Sequence, residues 1–137
     1  MNRKQLRALS EIRLLESQAL FRARHFSGAY YLAGYAIECA LKACIAKESK
    51  RYEFPDKKRV NESYTHDLKA LAKLSYINQA LLAEVSSDPG FQANWDIVTR
   101  WSEKSRYETA DRAKAKSLLD AIMDTSSGVM PWITQHW

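Results

Sequence analysis

The segment at residues 30–45, YYLAGYAIECALKACI, limits what this chain can fold into more than any other part of the sequence. Thirteen of its sixteen residues are apolar, and its only charged residues are Glu38 and Lys42. These two residues lie four positions apart, on the same side of a helix as Gly34. The segment is too apolar for a surface helix and too interrupted for a membrane span. We therefore predict a helix buried on nearly all sides, with one polar stripe that faces a second subunit or a ligand.

The composition favours a single helical domain over residues 1–137. Only four Gly and three Pro occur in the 137 residues, and 46% of the residues are hydrophobic, which allows a substantial core. No secretory signal precedes the first predicted helix, and no uncharged apolar run reaches membrane length. Cys39 and Cys44 lie five residues apart in one predicted helix and cannot bridge there. We therefore predict two reduced core thiols in a cytoplasmic protein that does not span a membrane.

The apolar spacing predicts an all-α, up-and-down helical bundle of two long antiparallel helices plus three or four further helices. The long helices cover about residues 4–24 and 28–47, and Ser27 caps the second. Leu9, Ile12, Leu15 and Ala19 line one face of the first helix. Further helices are predicted from about residue 65, over about 77–86, from about 89 and over about 109–124.

Two segments lie outside the predicted helices. Residues 48–64, ESKRYEFPDKKRVNESY, lose the apolar period and are interrupted by Pro55, which indicates a long loop. The apolar tail GVMPWITQHW, residues 128–137, either packs back on the bundle or contacts a partner.

The charge of the chain is unevenly distributed. The formal net charge is +5. Residues 1–60 contain thirteen Lys and Arg against six Asp and Glu, whereas residues 61–137 contain eight against ten. One part of the surface should therefore be basic, which suits an anionic partner such as RNA.

Common enzyme motifs are absent from the sequence. It contains no Gly-rich phosphate loop, no dinucleotide fingerprint and no nucleophile elbow. The three histidines, His25, His66 and His136, are too dispersed for a zinc site. We predict neither a metal site nor a cofactor.

Two pairs of residues are candidates for binding. Glu38 and Lys42 form either an ion pair at a packing boundary or a pair that faces a cleft and binds a phosphate or backbone group. Arg106 and Tyr107 follow the predicted aromatic helix. Arg106 binds an anion, caps a helix or stacks on neighbouring aromatic rings.

A basic loop and a histidine complete the candidates. Lys57 and Lys58 lie in a segment that alternates cations with aromatic residues, which suits single-stranded nucleic acid or an ordinary solvated loop. His66 lies at the start of a helix that Thr65 or Asp67 can cap, so it is either a neutral base or a residue that pins the loop. The other members of the basic segment are Lys47, Lys50, Arg51, Arg59, Tyr52 and Phe54.

Three motifs together resemble the HEPN domain family. AYYLAGYAIECALKACI, residues 29–45, is similar to that family's second helix. THDLKAL, residues 65–71, resembles the start of its third helix, and SRYE, residues 105–108, resembles its Arg-Tyr element before the last helix. The resemblance spans about residues 5–125 in order and spacing. It implies a helical bundle that forms homodimers and works on RNA or nucleotides.

The resemblance also implies two more specific activities. Many relatives are metal-independent ribonucleases that use an Arg followed by His after four to six residues, with two half-sites at a dimer interface. Some are toxins paired with a nucleotidyltransferase antitoxin. In this chain no His follows Arg106 until His136, and the one Arg-x6-His, from Arg59 to His66, lies before the third helix.

Three hypotheses follow. The first is a non-catalytic HEPN-type module that dimerises and binds RNA, a nucleotide or a nucleotidyltransferase partner, with Glu38, Lys42, His66 and Arg106 around a polar cleft. The second is an active ribonuclease in which Arg59 holds the phosphate and His66 is the base. The third is a structural interaction protein whose dimer face is the Tyr-rich side of the second helix.

Overall fold

The fold is all-α, as the sequence predicts. It is given by a computed structural model, which describes residues 1–48 and 57–137 apart from the side chain of Arg59, and it has no strand in those residues. Two long helices are followed by six shorter α-helices and one 3-10 helix within the same residues. They are α1 (Arg3–Arg22), α2 (Phe26–Lys47), α3 (Lys57–Glu62), α4 (Leu68–Leu74), α5 (Asn78–Ser87), α6 (Pro89–Thr99), the 3-10 helix (Glu103–Tyr107), α7 (Arg112–Met123) and α8 (Val129–Thr134).

The two long helices pack antiparallel through two buried serines. Ser10 Oγ donates a hydrogen bond to the carbonyl oxygen of Ala36 at 2.7 Å, and Ser17 Oγ donates to that of Ala29 at 2.6 Å. Because serine and alanine are small and each hydroxyl has an acceptor, the helices approach closely without leaving a buried polar group unpaired. The predicted antiparallel pair is confirmed.

The predicted apolar face of α1 is not the face that the bundle buries. Ile12 is 48% exposed and Leu15 is 65% exposed, so the apolar face that the sequence shows is largely open to solvent. The buried residues of α1 are Leu6, Ser10 and Ser17. The two serines made the core side look polar in the sequence, because their bonds to α2 carbonyls cannot be foreseen from spacing.

Helix α2 forms the centre of the molecule, as predicted. It contacts α1, α4, α7, α8 and the 3-10 helix, and the buried apolar side chains of the described residues form one continuous core around it. Its fully enclosed apolar residues are Ala29, Ala33, Ala36, Ile37, Ala40, Leu41, Ala43 and Cys44.

The start of α2 differs from the prediction. The helix begins at Phe26 with His25 at the N-cap position, and among the described residues no side chain caps it. Ser27 is therefore not a cap. Its hydroxyl accepts a hydrogen bond from the Ala110 amide at 2.9 Å, which ties α2 to the chain before α7. The turn from α1 is closed by Arg24 in the left-handed region, with φ of 66°, and this sharp reversal starts α2 earlier than expected.

Other local predictions had mixed outcomes. The predicted loop over residues 48–64 is wrong at Lys57–Glu62, which form α3, while the predicted basic and aromatic residues at 50–54 lie outside the described residues.

The tail packs back on the bundle. Trp137 is buried and the Arg7 guanidinium lies 5.0 Å from its ring centroid. Within the part of the chain that the structure describes, no helix combines the length and apolarity needed to cross a membrane.

The contact between Gly34 and Trp101 can be tested by adding one methyl group. A Cβ at Gly34 would overlap the buried Trp101 ring, so Gly34→Ala should lower the free energy of unfolding by about 1–3 kcal/mol despite its better helix propensity. Urea unfolding followed by tryptophan fluorescence measures this. Gly28→Ala is the control in the same helix, because its Cβ would meet only the flexible end of Leu20. Equal stabilities of the two variants would contradict the prediction.

Candidate functional site

A buried carboxylate on α2 is the centre of the candidate site. Glu38 is 1% exposed. Its Oε1 accepts a hydrogen bond from Lys42 Nζ at 3.0 Å and lies 2.9 Å from His66 Nδ1. The sequence prediction that Glu38 and Lys42 pair along one side of α2 is therefore correct, and the pair is covered by the residue that precedes α4.

His66 connects this buried pair to the 3-10 helix. Its second ring nitrogen, Nε2, lies 3.1 Å from Glu103 Oε2, and the same oxygen lies 3.7 Å from an Arg106 guanidinium nitrogen. An ionised carboxylate only accepts hydrogen bonds, so His66 Nδ1 bonds the Glu38 carboxylate as an N–H donor. We call the five residues Lys42, Glu38, His66, Glu103 and Arg106 the charged cluster.

Local structure holds each part of the charged cluster in place. Asp67 caps α4 by accepting from the Ala70 amide at 3.1 Å, and Thr65 Oγ1 accepts from the Asp67 amide at 3.1 Å. These bonds fix the backbone on both sides of His66. On the other side, Gly34 admits the Trp101 ring against α2, so the chain that follows Trp101 enters the 3-10 helix directly over the polar stripe.

The seam between α2 and the 3-10 helix contains buried polar atoms that are not fully paired. Glu38 Oε2, Trp101 Nε1 and Ser105 Oγ are enclosed, and none has a hydrogen-bond partner among residues 1–48 and 57–137. Such groups are costly and uncommon in native proteins. Hydrophobic packing alone therefore does not explain the seam. Glu38 retains one oxygen, Oε2, that can accept a further hydrogen bond.

The outer half of the charged cluster is open to solvent. The side chains of His66, Glu103 and Arg106 are 43%, 41% and 49% exposed. Tyr107 is 81% exposed, and the Arg106 guanidinium lies 5.1 Å from its ring centroid. A dissolved anion can therefore reach two basic side chains next to an exposed aromatic ring.

Most of the predicted site residues meet in this one place. Glu38, Lys42, His66 and Arg106, which lie on three separate segments of the sequence, all belong to the charged cluster, and Tyr107 borders it. Lys57 and Lys58 lie on α3 and are exposed. The remaining candidate, Arg59, has its backbone in α3, but its side chain lies outside the described part of the chain.

Glu103 is the member of the cluster that sequence reasoning missed. It lies three residues before Arg106, and Ser102 caps the 3-10 helix by accepting from the Lys104 amide. The Ser-Glu start of a short helix was the only signal in the sequence. This Ser-Glu pattern does not indicate which part of the molecule the Glu103 side chain contacts, so its contact with His66 could not be inferred.

The two cysteines do not contribute a reactive thiol. Burial raises the pKa of Cys39 from 9.0 to about 11, and the neighbouring Glu38 charge acts in the same direction. Burial likewise raises the pKa of Cys44 to about 11. Both are free and enclosed, so at neutral pH they behave as small core residues. In the described ranges no group of three or more His, Cys, Asp or Glu side chains is placed to hold a metal ion.

Comparison with known proteins adds no relative to this picture. No protein-family model, no curated protein and no solved structure matches the chain. The resemblance to the HEPN family therefore stays a prediction.

The buried thiols predict a loss of stability in alkali. The raised pKa values mean that both thiols stay protonated in the folded state up to about pH 11, while thiols in the unfolded chain ionise near pH 8.5–9. Between these values the unfolded state binds fewer protons, so the free energy of unfolding falls as pH rises from about 9 to about 11. Urea midpoints at pH 8, 9.5 and 10.5 measure the decline.

The control for this prediction removes the titrating groups. A Cys39→Ala/Cys44→Ala double variant should begin less stable, because two buried side chains shrink, but should lose stability less steeply with pH. An identical pH slope in both proteins would show that the thiols do not cause the decline.

Proposed function

We propose that this chain is a HEPN-like helical module that binds a phosphate-bearing ligand, RNA or a nucleotide, at the exposed edge of the charged cluster. The observation that carries the proposal is that Lys42 and His66 share Glu38 while His66 and Arg106 share Glu103, beside the exposed ring of Tyr107. Two free, buried thiols fit a reducing cytoplasm, which is where we place the protein.

The arrangement of the exposed edge suits the two parts of a nucleotide. Arginine binds phosphate through paired N–H donors, and a doubly protonated imidazole adds another. An exposed tyrosine ring gives a base a stacking surface, which is how single-stranded RNA is commonly held. Arg106 and Tyr107 are adjacent in sequence and in contact, so phosphate and base would bind next to each other.

The catalytic alternative is less well supported by the same contacts. A metal-independent ribonuclease, alone or as the toxin of a toxin–antitoxin pair, would need His66 as a general base, which requires an unprotonated ring nitrogen. Of the two residues that this hypothesis names, His66 lies in the charged cluster, whereas the side chain of Arg59 lies outside the described residues. We therefore favour binding over cleavage, and we keep a nucleotidyltransferase as the candidate protein partner that the resemblance implies.

Binding should depend on Arg106. Arg106→Ala removes a charged donor, so it should weaken the binding of AMP and of a fluorescein-labelled single-stranded RNA by on the order of tenfold or more. Calorimetry and fluorescence anisotropy at low salt measure the two affinities. Lys116→Ala is the matched control, since it removes one surface cation that pairs with Asp120 on α7.

The outcomes separate the alternatives. Equal affinities for Arg106→Ala and Lys116→Ala would contradict the proposed site. If RNA is the ligand and α3 contributes, changing Lys57 and Lys58 to Ala should reduce the salt slope by about 0.7 for each lost phosphate contact. Cleavage of the RNA that disappears in His66→Ala would instead support the ribonuclease.

A second candidate role, self-association, is favoured by the exposed face of α1. Ala8, Ile12, Leu15 and Ala19 are spaced by four, three and four residues, so the pattern is the same in either direction. Two antiparallel copies would place like against like, which is what a twofold interface requires. We therefore propose that a homodimer uses this face of α1 in preference to the Tyr-rich side of α2, where Tyr30 is already buried.

Charges on this face should prevent self-association. Ile12→Glu/Leu15→Glu places four glutamates in the proposed interface of a dimer, and both positions are exposed in the monomer, so the fold should be unaffected. In sedimentation velocity, we expect the parent protein to dimerise as its concentration is raised and the variant to remain monomeric. Leu82→Glu, at a 54% exposed leucine on α5, should behave like the parent. A parent protein that is monomeric at all concentrations would rule out the interface.

A further inference from the structure

We propose that Glu103 is an internal anion that occupies the phosphate position of the charged cluster and that a ligand must displace it. This inference rests on the proposed function. It assigns to one acidic residue, which the sequence did not single out, control over the affinity of the site.

The position of the Glu103 carboxylate is the first argument. Its Oε2 lies 3.1 Å from His66 Nε2 and 3.7 Å from the Arg106 guanidinium. An oxygen shared between these two groups is where an oxygen of a bound phosphate would lie, because carboxylate and phosphate use the same arginine and imidazolium donors. The Glu103 carboxylate and a bound phosphate cannot occupy this position together, and their like charges would repel each other at close range.

The contrast between the two glutamates is the second argument. Glu38 is enclosed, accepts a hydrogen bond from Lys42 and lies beside His66 Nδ1. Its carboxylate therefore cannot leave this position unless the surrounding structure opens locally. The side chain of Glu103 is 41% exposed, and so are its partners, at 43% for His66 and 49% for Arg106. Exposed ion pairs of this kind are weak, and the side chain can rotate into water without disturbing the core. Glu38 thus positions His66, whereas Glu103 competes for it.

Competition of this kind lowers the apparent affinity. If Glu103 occupies the position for most of the time, a ligand binds only the fraction of molecules in which it has moved away. Removing the charge while keeping the shape should therefore strengthen binding. For a weak exposed ion pair the gain should be on the order of fivefold.

The test compares Glu103→Gln with a matched charge control. AMP and inorganic phosphate are titrated calorimetrically into the parent protein, into Glu103→Gln and into Glu108→Gln. Glu108 is exposed and lies just after the 3-10 helix, so its variant makes the same change in net charge near the site. We expect Glu103→Gln to bind AMP and phosphate more tightly than the parent protein does. Adding Arg106→Ala to Glu103→Gln should abolish this gain, and Glu108→Gln should bind both probes as the parent protein does.

Each other outcome has a definite meaning. If the parent protein binds and Glu103→Gln binds equally or more weakly, the displacement inference is wrong and the proposed site remains. If Glu103→Gln and Glu108→Gln gain equally, the effect is one of general charge, and the inference is again overturned. If neither the parent nor Glu103→Gln binds AMP or phosphate, both the inference and the proposed function are wrong. Thermal unfolding followed by circular dichroism confirms that each variant is folded.

Discussion

The close packing of Trp101 on Gly34 is the contact on which the site depends. Any side chain at position 34 would overlap the indole, so only glycine lets the chain after α6 lie directly on α2. A glycine in a helix interior costs about 1 kcal/mol relative to alanine, and in this protein it brings the 3-10 helix within reach of the polar stripe. Without that approach Glu103 would not reach His66, and the outer half of the charged cluster would not form.

The burial of Glu38 is the second constraint, and it explains the order of the charges around it. An enclosed carboxylate is costly unless cations and donors surround it. Lys42 comes from the same helix and His66 from the segment before α4. The negative charge of Glu38 is thus balanced by neighbouring basic side chains. The exposed Glu103 and Arg106 extend this series of charged contacts to the surface. The interior part fixes geometry, and the surface part is free to exchange partners.

The sequence predicts the parts of this arrangement that depend on helical periodicity, and it fails where contacts between segments decide. The spacing of Glu38 and Lys42 in an apolar segment was sufficient to predict both the buried helix and its polar stripe. The core side of α1 was not predictable, because Ser10 and Ser17 are buried only through carbonyls of another helix. Glu103 was missed for the same reason. Its role depends on the contact with His66, which no local pattern encodes.

The geometry of α2 relates the two proposals to each other. Residues two positions apart on a helix point about 200° apart, so Ala36, whose carbonyl accepts from Ser10 of α1, and Glu38, which contacts His66, lie on nearly opposite sides of α2. The outward face of α1 is therefore separated from the charged cluster by the thickness of two helices. A dimer formed through α1 would leave both clusters open to solvent and distant from each other. Such a dimer would keep two binding sites independent, as the binding proposal requires, and would not bring together the two half-sites that the resemblance to HEPN ribonucleases implies.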